Sequence, residues 1–193
     1  MKPLNMLFAG VGGQGILFAG KIFFDAALSR GVKVLGGETH GMSQRGGSVV
    51  AHFKMGGGHS ALVLPGTADI LLALEPTEGL RNLAFARPGG IYLVNAPDLE
   101  HIPGRVLDFL KKKKIRAYCF DGDGMALEKK KPLTANLYLI GFLAGLKDTP
   151  FEPAEFRDIV TKNTKKKAFL QDNLDAFETG VQAAQTAEAA EAA

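Results

Sequence analysis

The sequence predicts an α/β fold: three layers, α/β/α, with a Rossmann-like start and a mixed sheet of parallel strands plus an antiparallel hairpin. Three observations predict it. An apolar run at residues 5–9 enters a glycine-rich turn, Gly10-Val11-Gly12-Gly13-Gln14-Gly15, and leaves it as a long apolar helix pattern. Short runs of strand formers then alternate with helical patterns down the chain, which is the signature of crossover units. Residues 48–64 interrupt that alternation. There, two strand-like runs are joined by a few glycines, too short for a parallel crossover but right for a hairpin.

Taken in order, residues 5–9 read as a short buried strand. The glycine turn leads into a helix at residues 16–29, where Ile16, Leu17, Phe18, Ile22, Phe23, Phe24 and Leu28 leave little polar surface. Lys21 and Asp25, four apart, can pair. A helix this apolar buries more than one side, and the second side can meet another subunit. Gly31 is the expected left-handed cap residue. Residues 32–35 form the second strand of a right-handed strand–helix–strand unit. A polar loop at residues 38–47 then sits beyond that strand's C-terminal end, the edge on which open α/β sheets place ligands. Residues 48–54 and 60–64 are the two arms of the hairpin, with a turn at 55–58. Residues 68–74, 91–95 and 115–120 are further strands. Helices are expected at 77–86, within 102–113, at 135–146 with Thr134 as N-cap, at 152–161 and at 166–182. Residues 87–90 and 121–124 read as turn and loop. Gly141 and Gly145 share a stripe that permits close packing. Phe169, Leu170, Leu174, Phe177 and Val181 form the apolar face of the last helix. The chain divides into one α/β domain at residues 1–184 and a frayed Ala/Glu tail at 185–193.

Composition excludes several function classes. The length suits one substantial core. The formal net charge of +3 argues for no particular partner. The N-terminus lacks the apolar core and small-residue site of a signal peptide, and no apolar run reaches the roughly 20 residues of a membrane helix, so a cytoplasmic location is expected. The single cysteine, Cys119, cannot make an intrachain disulfide or, by itself, an iron–sulfur or structural zinc site. It reads as a small buried hydrophobe rather than a reactive thiol. His40, His52 and His59 fit no ligand spacing. Lysine runs at 111–114, 129–131 and 165–167 either form a phosphate-attracting rim or are solvated helix ends. No aromatic residues interleave with them as a nucleic-acid groove would require.

The chemistry concentrates in two stretches. Gly10, Gly12 and Gly15 satisfy G-x-G-x-x-G between a strand and a helix, where backbone N–H groups at the helix N-terminus can meet phosphate. Glu38 lies where a dinucleotide fold places its ribose-binding carboxylate. The same glycines also suit a tight turn with no ligand, and the motif alone leaves both readings open. Residues 38–47 run Glu38-Thr39-His40-Gly41-Met42-Ser43-Gln44-Arg45-Gly46-Gly47. Arg45 offers a planar fork for carboxylate or phosphate, and Gly46 and Gly47 leave backbone amides accessible beside it. An intrachain pair of Arg45 with Glu38 is the plain alternative. His40 is a hydrogen-bonding scaffold rather than a catalyst. The two stretches are expected to face each other at one end of the sheet.

Together they resemble the gamma subunit or gamma domain of the 2-oxoacid:ferredoxin oxidoreductases. The His-Gly-Met-Ser-Gln-Arg-Gly-Gly wording is most similar to the small (beta) subunits of the indolepyruvate branch, and Asn136-Leu137-Tyr138-Leu139-Ile140-Gly141 resembles that family's later helix. The resemblance implies a larger assembly that oxidatively decarboxylates a 2-oxoacid, transfers the acyl group to coenzyme A and passes electrons to ferredoxin. Thiamine diphosphate, Mg and iron–sulfur clusters then belong to partner subunits, and this chain holds no cofactor tightly and no catalytic residue. It implies that Gly10, Gly12, Gly13, Gln14, Gly15, Glu38, His40, Ser43, Gln44, Arg45, Gly46 and Gly47 face a shared cleft, with a part in coenzyme A binding. The face meant for the partner gives an isolated chain a route to a homodimer. The competing class is a stand-alone dinucleotide-binding oxidoreductase or nucleotide-sensing domain.

Overall fold

In a computed structural model, residues 3–40, 46–100, 102–147, 149–150 and 152–187 are described, without the side chain of His40. Six strands form one sheet: β1 Leu4–Val11, β2 Val34–His40, β3 Ser48–Met55, β4 Ala68–Ala73, β5 Ala86–Asn95 and β6 Arg116–Phe120, in the order β2-β3-β1-β4-β5-β6. β1, β4, β5 and β6 are parallel neighbours. β3 runs against both β1 and β2. Five strands therefore share one direction and only β3 is reversed, so the C-terminal ends of the five lie on one edge.

The central strands are apolar on both faces, as a doubly covered sheet requires. Along β1, Met6 and Phe8 enter one core while Leu7 and Ala9 enter the other. The first core holds α1 Ile16–Ser29, α5 Ala135–Gly145, α6 Pro153–Asn163 and α7 Leu170–Thr186, with Ala126 of α4 Gly122–Glu128. The second is covered by α2 Pro76–Asn82 and α3 Gly104–Lys112. This is the three-layer arrangement the sequence predicts.

Several details differ from the expectation; residues 87–90, read as a turn, belong to β5. The strand–helix–strand unit exists, but β3 is inserted between β1 and β2, so those two strands do not touch. The antiparallel hairpin is β2–β3, not 48–54 with 60–64. Residues 60–64 form no ladder, because Val63 N–H is taken by the His52 Nδ1 at 3.2 Å, and this segment lies over the second core with Val63 buried. β2 runs on through Glu38 and Thr39 to His40, which the sequence assigns to a loop. Residues 121–124 open a helix: Asp121 caps α4, its carboxylate accepting from Gly124 N–H at 2.7 Å.

Other local readings are met in full or in part. α1 has the expected bounds, Lys21 pairs with Asp25 at 2.5 Å, and Gly31 is left-handed. Thr134 occupies the N-cap position of α5, though its hydroxyl bonds to the Lys131 carbonyl rather than capping the helix. α7 extends to Thr186, two residues past the expected domain boundary. Cys119 is half-buried, and burial, with Asp98 nearby, pushes its thiol up, which suits an inert side chain. Among the described residues, no helix is long and apolar enough to cross a membrane.

Candidate functional site

The site grows from the way the helices leave the sheet. α1 follows β1 onto the first face, whereas α2 follows β4 onto the second. Between the adjacent ends of β1 and β4 the chain thus parts to opposite faces, and such a topological switch point opens a crevice. The glycine turn sits there.

Gln14 fixes that turn. Its Oε1 accepts from Val11 N–H at 2.9 Å, and its Nε2 donates to the Leu74 carbonyl at 3.1 Å. The Leu74 carbonyl also accepts from Asn95 Nδ2 at 3.1 Å, and Asn95 Oδ1 accepts from the backbone of Gly122 at 2.9 Å and Asp123 at 3.3 Å. Two side-chain amides therefore knit the ends of β1, β4 and β5 to the start of α4. Gly15, at the N-cap of α1, has φ 77°, and a Cβ there would stand 2.2 Å from Asn136 Nδ2. Glycine meets both constraints without strain.

The second stretch meets the first directly. Gly12 N–H donates to the Gly47 carbonyl at 2.9 Å, and Gly46 N–H donates to the Gly12 carbonyl at 3.2 Å. These bonds continue the β1–β3 ladder past Val11 and Ser48. Ser48 then hydrogen-bonds to the buried Glu78 at 2.7 Å, and Arg81 pairs with the other oxygen of Glu78. Gly10, Gly12, Gly13, Gln14, Gly15, Gly46 and Gly47 are thus brought together. Ser43, Gln44 and Arg45 lie outside the described residues. His40 pairs with Val49 through β2. Glu38 is separated from the turn: it is exposed on edge strand β2, two strands from β1. At strand spacing this is roughly 10 Å sideways. A dinucleotide fold needs its carboxylate on the strand next to the glycine turn, and here β3 occupies that place.

Beside the turn lies a cleft of about 320 Å³ lined by Gly13, Gly15, Leu74, Asn95, Asp123 and Asn136, among others. Sequence reasoning missed the last three as site residues. Asn95 and Asp123 stand at or just beyond the ends of β5 and β6, on the same edge as the turn, which was the available signal. Burial pushes the Asp123 carboxyl up and Asp121 adds to this, while a hydrogen bond from Asn95 opposes them. Asn136 is buried, and its Oδ1 has no hydrogen-bond partner. An orphaned buried acceptor is costly unless a ligand, water or partner supplies a donor. The cleft combines the positive end of the α1 dipole with amides and one carboxyl group, an arrangement for holding a ligand. Among the described residues, no group of three or more His, Cys, Asp and Glu side chains could hold a metal ion. One cysteine cannot supply the four thiolates of an iron–sulfur cluster.

The fold and site define a doubly covered α/β domain with a glycine turn and a cleft at its switch point. The family model described as pyruvate ferredoxin/flavodoxin oxidoreductase matches residues 5–183, and the chain belongs to that family. It is 36% identical over 200 residues to the indolepyruvate oxidoreductase subunit IorB of Pyrococcus horikoshii, covering 95% of this chain and 97% of the relative. The IorB subunit of Archaeoglobus fulgidus is 32% identical over 192 residues, covering 92% and 93%. Among solved structures, the gamma subunit of a keto/oxoacid ferredoxin oxidoreductase from Geobacter sulfurreducens matches with a TM-score of 0.75 at 23% identity, over 95% of this chain and 99% of that one. A 2-oxoglutarate:ferredoxin oxidoreductase from Magnetococcus marinus, solved with 2-oxoglutarate, coenzyme A and succinyl-CoA bound, matches with a TM-score of 0.77 at 21% identity. It covers 99% of this chain but 32% of that longer chain. These two structures share the fold.

Proposed function

We propose that this chain is the non-cluster-bearing subunit of a 2-oxoacid:ferredoxin oxidoreductase that acts on indolepyruvate or a related arylpyruvate. The assembled enzyme releases CO₂ from the 2-oxoacid, passes the acyl group to the coenzyme A thiol and delivers two electrons to ferredoxin. The observation that carries this reading is the end-to-end sequence likeness to subunits named for indolepyruvate oxidation. Thiamine diphosphate, Mg and iron–sulfur clusters belong to the partner subunits. This chain's residues hold and position. The glycine turn and the residues 38–47 stretch, joined through Gly12, Gly46 and Gly47, face the shared cleft, and Arg45 meets a phosphate of coenzyme A. The displacement of Glu38 from the turn speaks against the stand-alone dinucleotide reading.

Arg45→Ala in the assembled enzyme tests the site. The expected result is a rise of about tenfold in KM for coenzyme A, the loss of one charge-assisted contact, with assembly retained. Unchanged turnover and unchanged coenzyme A dependence would remove Arg45 from the site.

A further inference from the structure

Two of the three lysine runs, 129–131 and 165–167, are far apart in sequence but meet at one groove. The groove has a volume of about 570 Å³ and lies between the start of α5 and the α6–α7 connection. Lys130, Lys131, Lys165 and Lys166 line it, together with Phe18, Leu133, Leu137 and Phe169. Leu133 is 80% exposed and Phe169 44%, although the sequence pattern assigns Phe169 to a buried face. Leu127, 73% exposed, stands just before the first lysine run. A single exposed leucine is ordinary, but large apolar side chains gathered beside four lysines, with Asp172 as the one carboxylate of the lining, mark an interaction surface.

The charges are mostly uncompensated. Lys131 pairs with Asp172 at 2.8 Å, and Lys166 lies over the Phe169 ring at 5.8 Å. Among the described residues, Lys130 and Lys165 have no carboxylate partner. The groove is also continuous with the switch-point cleft, since Pro132, Leu133 and Asn136 line both.

We propose that this groove seats an acidic segment of the catalytic partner subunit. Carboxylates of that segment meet Lys130 and Lys165, and an apolar side chain packs between Leu133 and Phe169. By crossing the Pro132–Leu133 sill the partner reaches the cleft and closes it. This rests on the subunit reading above. The third lysine run, carried by the end of α3 on the opposite face of the sheet, takes no part.

Co-expression with the thiamine- and iron–sulfur-bearing subunit, followed by measurement of association over a salt series, tests the proposal. The variants are Leu133→Ser and the double change Lys130→Glu/Lys165→Glu, with Lys111→Glu/Lys112→Glu as control. The expected result is at least a tenfold weakening for both groove variants and none for the control, with melting temperatures of the isolated chains unchanged. A second measurement compares acetylation of Lys130 and Lys165 in the wild-type chain free and in complex. Protection in the complex is expected. Wild-type affinity in the groove variants, or lysines labelled equally fast in complex, would overturn the docking face while leaving the subunit reading intact. A wild-type chain that does not associate with that subunit at all would overturn both.

Discussion

Asn95 donates to the carbonyl of Leu74 at 3.1 Å, and the same carbonyl accepts from Gln14. One backbone oxygen at the end of β4 therefore ties the glycine turn after β1 to the start of α4. Asn95→Ala would leave that carbonyl short of one donor and the N–H groups of Gly122 and Asp123 without their acceptor. Buried groups left unpaired cost about 1–3 kcal/mol each, less where water enters. A loss of about 2–4 kcal/mol is expected in denaturant unfolding of the isolated chain. A loss under 0.5 kcal/mol would show that the strand ends do not depend on this amide.

α5 and α7 approach backbone to backbone. A Cβ on Gly141 would stand 2.0 Å from the Phe177 carbonyl, and one on Gly180 2.0 Å from the Tyr138 carbonyl. Neither neighbour can turn aside as a side chain would. Gly141→Ala and Gly180→Ala should each cost about 3 kcal/mol or more, at or beyond the usual range for overpacking, because helices must separate. Gly104→Ala, where an added Cβ meets nothing within 4 Å, is the control and should be neutral or slightly stabilising.

His52 gives the chain a pH response. Burial, with Lys54 nearby, holds its imidazole below the ordinary value, and Nδ1 accepts from Val63. The folded chain thus favours the neutral ring, and its contribution is full above the unfolded value of about 6.5. As pH falls below that value, the unfolded state takes up the proton first, so stability declines until the lower folded value is passed. For one proton the decline is at most about 1.4 kcal/mol per pH unit. His52→Gln should flatten unfolding free energy just below about pH 6.5 relative to wild type. Parallel profiles would remove His52 as the source.

Gly15→Ala tests the turn in its working context. It places a Cβ at positive φ and against Asn136, so both the start of α1 and the cleft wall must shift. In the assembled enzyme, turnover with a saturating 2-oxoacid should fall at least tenfold, with a smaller loss of chain stability of about 1–3 kcal/mol. Full turnover would show that the turn geometry does not serve the shared cleft.

The fold was legible where periodicity and glycine chemistry act locally. The bounds of α1, the left-handed Gly31 and the close packing through Gly141 and Gly145 follow from side-chain pattern alone. What escaped were the non-local choices. Nothing in residues 48–55 states that β3 will enter between β1 and β2, since strand insertion depends on which edges are open. Residues 60–64 carry strand formers, yet the side chain of His52 takes the Val63 amide that a ladder would need. The glycine turn and Gly46–Gly47 were readable as partners. Asn95, Asp123 and Asn136 were not, because only the folded sheet edge brings them together.

The central claim is that this chain works as a subunit of an arylpyruvate-oxidising complex. The most direct test is purification of the native complex under anoxic conditions, followed by ferredoxin reduction with indolepyruvate, pyruvate and 2-oxoglutarate, each with and without coenzyme A. Reduction that requires coenzyme A and is fastest with indolepyruvate or another arylpyruvate, in a preparation holding this chain and a thiamine- and iron–sulfur-bearing partner, is the predicted result. Recovery of the chain alone with a bound nicotinamide or flavin nucleotide, and no 2-oxoacid-dependent reduction, would contradict it.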